Sequence, residues 1–163
     1  MAHKGMVWSD HSCVIFISKN MAYDFDKPEL PALGWLANMK KDDREVFGTY
    51  GEFLPIHPNK PIISEGEPQP YLYLILSGEF HIWKMKENDQ SHIATLRMGE
   101  SIGEMSIFDL SPASATVVSD AFAQVWRINY EDFMRFVEDN PGAAVKVLMA
   151  LITTLAKRLR NSS

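Results

Sequence analysis

From Gly51 to about Arg127, short apolar segments alternate with turn residues roughly every eight to twelve positions, and this rhythm predicts an all-β barrel or sandwich. The strands it predicts are Glu52–Ile56, Pro61–Ser64, Tyr71–Ser77, Glu79–Met85, His92–Arg97, Ala115–Ser119 and Ala121–Ile128. The turns between them have chemical causes. Ser77-Gly78 separates two strands, and its glycine supplies a positive φ. Glu87-Asn88-Asp89-Gln90 is a polar hairpin tip, and Pro68-Gln69-Pro70 blocks helix and ladder alike.

On either side the period changes. Leu33, Leu36, Met39, Val46 and Phe47 lie amid charges and predict one or two short helices, with Pro31 near the start and Gly48 or Gly51 at the end. After Asn129 the pattern is helical again. Tyr130–Asp139 is a short helix with Phe133, Phe136 and Val137 on its apolar face. Asn140-Pro141-Gly142 starts a longer one, with Asn140 as the expected N-cap, running to about Arg160. Val145, Leu148, Ile152, Leu155 and Leu159 recur there at spacings of three and four, widened by Val147, Leu151 and Ala156. One face of such a helix can cover the barrel while the other meets a partner. Residues 1–28 fit none of this and form an N-terminal arm. Within it Ser12–Ser18 could make a short strand and Tyr23–Pro28 a loop.

Size and charge narrow the function. At 163 residues, 46% of them hydrophobic, the chain has material for one domain with a real core, here taken as residues 29–163. The formal net charge of -5 is opposite in sign to that of a protein that grips nucleic acid through phosphates. The one basic run, Lys157-Arg158-Leu159-Arg160, reads as a charged helix end set against the helix dipole. Cys13 is the only cysteine, which excludes an intrachain disulfide and fits a reducing compartment. No apolar run reaches membrane length and no signal-peptide pattern opens the chain, so a cytoplasmic location without membrane contact is expected.

The segment from Gly103 to Thr116 carries the most chemistry. Gly103-Glu104-Met105 reads as a tight turn into one short helical turn with bare backbone N–H groups, and Pro112-Ala113-Ser114-Ala115-Thr116 as a loop of small residues entering a strand. Such a turn seats a phosphate carrying a sugar. Other constellations are weak. His3, His11, His57, His81 and His92 show no metal-ligand spacing, and no Ser/His/Asp or Cys/His arrangement is identifiable. Neither a metal nor a catalytic role is expected.

Gly103–Thr116 closely resembles the phosphate-binding cassette of cyclic-nucleotide-binding domains, as in catabolite-activator-like proteins and protein kinase A regulatory subunits. Its pattern there runs roughly Gly-Glu-Leu, a short helix, then Pro-Arg-Ala-Ala-Thr. Three further landmarks agree in order and spacing: Ile63–Glu67 with the family's early glycine turn, Leu72–Phe80 with its Ser-Gly hairpin, and Leu96–Glu104 with the glycine-rich approach to the cassette. Val125–Phe133 matches the final strand running into a helix. The resemblance implies a mainly β, jelly-roll (double-stranded β-helix) domain with flanking helices, spanning about Leu33 to Arg160. It also implies a non-catalytic sensor whose ligand is cyclic AMP, cyclic GMP or a related small molecule, with no cofactor.

The site follows residue by residue from the same resemblance. Glu104 takes the place of the glutamate that accepts a ribose hydroxyl, and backbone N–H groups of Gly103, Glu104 and Met105 flank it. Ala113 stands where the family has its phosphate-binding arginine, and Ser114 keeps a donor beside it. Thr116, after Ala115, would face the base. A charge-assisted hydrogen bond contributes about 1.5–3 kcal/mol, and leaving a buried charge unpaired costs roughly 3–5 kcal/mol. Losing the arginine should therefore weaken binding by about ten-fold to several thousand-fold. Arg97 and Arg127 are candidates, by residue type alone, to replace it. The output would pass through the last helix to a homodimer or a partner protein. Transcription factors of the family place a helix-turn-helix after that helix, and the sequence ends at Ser163, so direct DNA contact is not expected. A ligand-free docking or dimerisation module on the same scaffold is the alternative.

Overall fold

Strand Tyr71–Ser77 has four consecutive buried residues, Leu72 to Ile75, because both of its faces are covered. Side chains alternate across a strand. Leu72 and Leu74 therefore enter one apolar cluster, built with the helices, while Tyr73 and Ile75 enter another, inside a roll of sheets. Strand Ala123–Asn129 is divided in the same way. Trp126 and Ile128 face the helices, and Ala123 and Val125 face the roll.

The chain is represented by a computed structural model that describes residues 6–9, 12–15 and 29–162. Strands β1 (Met6–Ser9) and β2 (Ser12–Ile15) pair antiparallel. The strand expected over Ser12–Ser18 thus begins where the sequence places it, with a partner that the sequence pattern does not reveal. Phe16–Ser18 and the Tyr23–Pro28 loop lie outside the described residues. A single 3-10 turn over Gly34–Leu36 and helix α1 (Lys41–Gly48) follow. Then come β3 (Glu52–Ile56), β4 (Pro61–Ile63), β5 (Tyr71–Ser77), β6 (Phe80–Lys86), β7 (Asp89–Leu96) and β8 (Ser101–Ile102). Helix α2 (Glu104–Asp109), β9 (Thr116–Val118), β10 (Ala123–Asn129), α3 (Tyr130–Asp139) and α4 (Pro141–Asn161) complete the chain.

The roll is two four-stranded antiparallel sheets, ordered β3-β10-β5-β8 and β4-β9-β6-β7. This is the jelly-roll-like, mainly β architecture with flanking helices that the sequence predicts. Its hairpin glycine behaves as expected. Gly78 sits at φ +87 between β5 and β6, and a side chain there would strike Ala123. The β6–β7 turn is tighter than the four-residue tip expected. Glu87 and Asn88, both at positive φ, make the turn, and Asp89 and Gln90 already pair with β6. The sequence pattern does not predict β8, because two residues carry no alternation. It exists through pairing Tyr73 with Ile102 and Leu74 with Ser101.

Two helical expectations are corrected. Asn140 does not cap α4 through its side chain; its Nδ2 donates to the Tyr50 hydroxyl at 3.1 Å. The capping asparagine is Asn129, whose side-chain oxygen accepts from Asp132 N at 2.7 Å at the start of α3. On α4 the buried row is Ala144, Val147 and Leu151, while Val145 and Ile152 of the expected stripe are exposed. The helix is turned so that Ala144, Val147 and Leu151 join the helix-side core, with α3 and the 3-10 turn as its neighbours.

The helix-side core centres on Trp126. It is fully buried, lies 4.8 Å from the Phe47 ring, and donates its indole N–H to the Gly48 carbonyl at 3.2 Å. Trp126→Ala should cost about 3–5 kcal/mol, and Asn129→Ala about 1 kcal/mol. Urea unfolding at unchanged m-value measures both.

Candidate functional site

The cassette begins where β8 ends. Gly103 adopts φ +84 and ψ 11, and a Cβ there would collide with the Gln69 side chain and the Tyr71 carbonyl. Only glycine turns the chain so abruptly against β5. One turn later Ile107 is buried in the helix-side core, which anchors α2. The helix ends at Leu110, which is left-handed at φ 56 and donates its N–H to Ser106 O at 2.8 Å. Asp109 then accepts from the Ser111 N–H at 2.9 Å. Backbone and side-chain hydrogen bonds from Ser111 hold its carboxyl below the ordinary carboxylate value.

Glu104 is the centre of the site. Its side chain is only 4% exposed, unusual for an acidic residue. One carboxylate oxygen pairs with the guanidinium of Arg158, from the last turns of α4. Arg158 also donates from Nη2 to the Ser101 carbonyl at 2.7 Å, so it spans β8 and α2 together. Burial pushes the Arg158 pKa below its ordinary value, and the nearby charge of Glu100 opposes that shift. The other carboxylate oxygen, Oε2, is buried without a hydrogen-bond partner, as is the Ser101 hydroxyl. A buried acceptor left unpaired costs free energy, and a donor that reaches it is strongly favoured.

The remaining cassette residues are placed as follows. Met105 is exposed on α2. Pro112 and Ser114 are exposed, Ala115 and Thr116 half-buried, and Ala113 buried. Ala113 packs its methyl group into the roll-side cluster. Its backbone is also engaged: Ala113 N donates to Glu67 O at 2.9 Å, and Gly66 N donates to Ala113 O at 2.8 Å. Thr116 Oγ1 accepts from Glu65 N at 3.1 Å. The early glycine turn is thus stitched to the far half of the cassette.

The two arginines that residue type alone offers as a replacement cation are held elsewhere in the fold. Arg97 pairs with Glu79 at 3.1 Å. Arg127 pairs with Glu52 at 2.6 Å and stacks 4.1 Å over the Tyr71 ring. The cation at the cassette is Arg158, which the sequence shows only as part of a charged helix end. No sequence signal marks it, because its partner lies far up the chain and the contact exists only once α4 has docked. Arg158 also lines an open groove of about 550 Å³ with Trp35, Asn38, Ser101, Thr153 and Lys157. Among the described residues, no group of three or more His, Cys, Asp or Glu side chains is placed to hold a metal ion, and no helix is long and apolar enough to cross a membrane.

Comparison with known proteins agrees with this fold. The family model for the cyclic nucleotide-binding domain matches residues 54–140, just over half of the chain, and the chain belongs to that family. The crystal structure of a cyclic nucleotide-binding domain from Methylobacillus flagellatus superposes with a TM-score of 0.73 at 27% identity, over 76% of this chain and 70% of that one. The CRP-like cAMP-activated global transcriptional regulator of Mycobacterium tuberculosis is 28% identical over 104 residues, 63% of this chain and 44% of the regulator. Glutaminase 1 of Bradyrhizobium diazoefficiens is 28% identical over 131 residues, 80% of this chain but 21% of the glutaminase. The chain therefore spans 44% of the length of the regulator and 21% of that of the glutaminase. Membership makes it a regulatory, sensor-type domain of a generally non-catalytic family.

The Glu104–Arg158 pair can be measured directly. Arg158→Ala leaves a buried carboxylate without its cation and should cost toward the lower end of about 3–5 kcal/mol, since the arginine is 35% exposed and water can enter its place. Glu104→Gln should cost less, because Arg158 can turn to solvent. The double variant should show a coupling of about 0.5–3 kcal/mol in urea unfolding of the four proteins. Strict additivity would mean that the two side chains do not interact.

Proposed function

We propose that this domain senses a cyclic nucleotide, cyclic AMP or cyclic GMP, or a related sugar phosphate, and relays occupancy through α4. The observation that carries this reading is the buried Glu104 carboxylate, with one oxygen on Arg158 and the other unpartnered. A ribose hydroxyl is a donor, and a carboxylate only accepts. The unpartnered oxygen has the chemistry to take a sugar hydroxyl, which would reach it only when the cassette opens because the atom is closed to solvent, while the paired oxygen ties the same residue to the last helix. The relatives supply the ligand class, since the mycobacterial regulator is described as cAMP-activated.

Affinity is expected to be low. Where the family's arginine would meet the phosphate, Ala113 offers a buried methyl group and a backbone already paired to Glu67 and Gly66. Ser114 and the short helix would supply the remaining polar contacts. Output through a second copy of the chain is supported by α4. Val145, Met149 and Ile152 are each more than half exposed and succeed one another at spacings of four and three, the seam of a two-helix contact.

The Ala113 packing also favours a second reading, in which the scaffold docks a protein and binds no nucleotide. Calorimetric titration decides between them. Cyclic AMP or cyclic GMP should give measurable heat at up to millimolar ligand, and Ala113→Arg should tighten binding by about ten-fold or more. Silence from both the natural chain and Ala113→Arg would remove the sensor reading and leave the docking one. For the dimer, Met149→Glu with Ile152→Glu should convert a dimer to a monomer in sedimentation velocity, with unchanged circular dichroism. A natural chain that is monomeric at high micromolar concentration would overturn that part.

A further inference from the structure

The outer face of the β6–β7 hairpin carries two histidines that sequence spacing keeps apart. Phe80 pairs with Leu96, His81 with Thr95 and Ile82 with Ala94; the register then slips, and Trp83 pairs with His92. Strict alternation would put Thr95 and His92, three residues apart, on opposite faces. The bulge at Ile93 adds one residue and returns His92 to the face of His81 and Thr95. His81 Nδ1 and His92 Nε2 then both lie 3.1 Å from the Thr95 hydroxyl oxygen, with ring centroids 5.8 Å apart. The single Thr95 O–H can donate to only one of them, so the other ring must donate its N–H to Thr95. The far nitrogen of His81, Nε2, lies 3.7 Å from a carboxylate oxygen of Asp120. The Trp83 ring packs edge-on to His92 at 5.1 Å.

We infer that His81 and His92 form a binding site for a divalent transition metal that favours imidazole, such as Zn²⁺ or Cu²⁺. Two imidazole nitrogens from adjacent strands converge on one point, and neutral imidazole is the preferred ligand of these ions. Asp120, 3.7 Å from His81 Nε2 and on an exposed side chain, needs only a small rotamer shift to accept the Nε2–H hydrogen bond as an outer-shell carboxylate, which leaves Nδ1 with its lone pair facing the site. On binding, the ring that donates to Thr95 changes tautomer, its proton moving to the outward nitrogen, and metal–nitrogen bonds of about 2.0–2.1 Å replace the Thr95 hydrogen bonds. Two protein ligands leave coordination positions for water, so the ion is exchangeable. The site would also fasten β6 to β7 on the sheet that contains β9, the strand leaving the cassette.

The test is Zn²⁺ calorimetry and Cu²⁺ quenching of tryptophan emission on the full chain, with Mg²⁺ as the negative control. Trp83→Phe isolates the signal of Trp83 from those of Trp8, Trp35 and Trp126. His81→Ala and His92→Ala should each weaken binding at least ~10-fold, and Asp120→Asn about 10-fold. Quenching should be lost in Trp83→Phe, and circular dichroism should be unchanged throughout. The His81→Ala/His92→Ala double variant keeps His3, His11, His57 and Cys13 and so reports binding elsewhere. No Zn²⁺ or Cu²⁺ binding to the natural chain, or equal affinity in the double variant, overturns the site.

Discussion

The structure depends on a wall that serves two cores. β5 and β10 lie side by side, and the alternation of side chains along both sends Leu72, Leu74, Trp126 and Ile128 toward the helices. The residues between them, Tyr73, Ile75, Ala123 and Val125, go into the roll. A one-residue slip in either strand would exchange the two sets and expose both clusters to the wrong neighbours. The cassette crosses this wall. Ile102 before it and Ala113 after it are buried in the roll, whereas Ile107 between them is buried against the helices. A ligand at the cassette thus bears on a segment whose middle belongs to the helix-side core. On the proposed reading this shared packing would be what passes a binding event to α4, and a relay of this kind would also need a ligand that binds two arrangements with unequal affinity.

Burying Glu104 is unfavourable unless a cation accompanies it, and the fold supplies one from its far end. Arg158 reaches Glu104 and Ser101 only when α4 lies along the wall with Ala144, Val147 and Leu151 inward. The ion pair and the packing of α4 therefore support each other. The arrangement also explains which way α4 is rotated. Ala144, Val147 and Leu151 fill the interface, and Val145, Met149 and Ile152 are left exposed.

Much of this is legible in the sequence, for identifiable reasons. β3, β5 and α3 coincide with the predicted spans because each is bounded by turn residues and carries a clear period. Gly103 and the small-residue run from Pro112 mark the cassette because special backbone geometry demands special residues. What stays hidden depends on contacts distant in sequence. β8 is two residues long and exists only as a partner of β5. Asn140 stands at the start of α4 but its side chain is taken by Tyr50, distant in sequence, whereas Asn129 caps α3 through its side chain. Arg158 looks like any basic helix terminus. His92 is set apart from His81 in the sequence because a bulge is invisible to a period of two.

The missing guanidinium at Ala113 constrains how the proposed site can work. On the proposed reading a cyclic nucleotide would bring a negative phosphate close to the Glu104 carboxyl group, at a place where the resemblance to the family puts an arginine. Here the cation at hand is Arg158. If a ligand displaced Arg158 from Glu104, two anions would share a poorly solvated space, where like charges repel far more than in water. On the proposed reading the favourable bound state therefore keeps Arg158 in place, and the ribose adds its hydroxyl to the unpartnered Oε2 instead of competing for the occupied oxygen. Occupancy would then tighten the hold of the cassette on α4. On that reading the absence of an arginine would lower affinity and would also make the contact with the last helix a condition of binding, so the two functions of the site could not be separated by electrostatics.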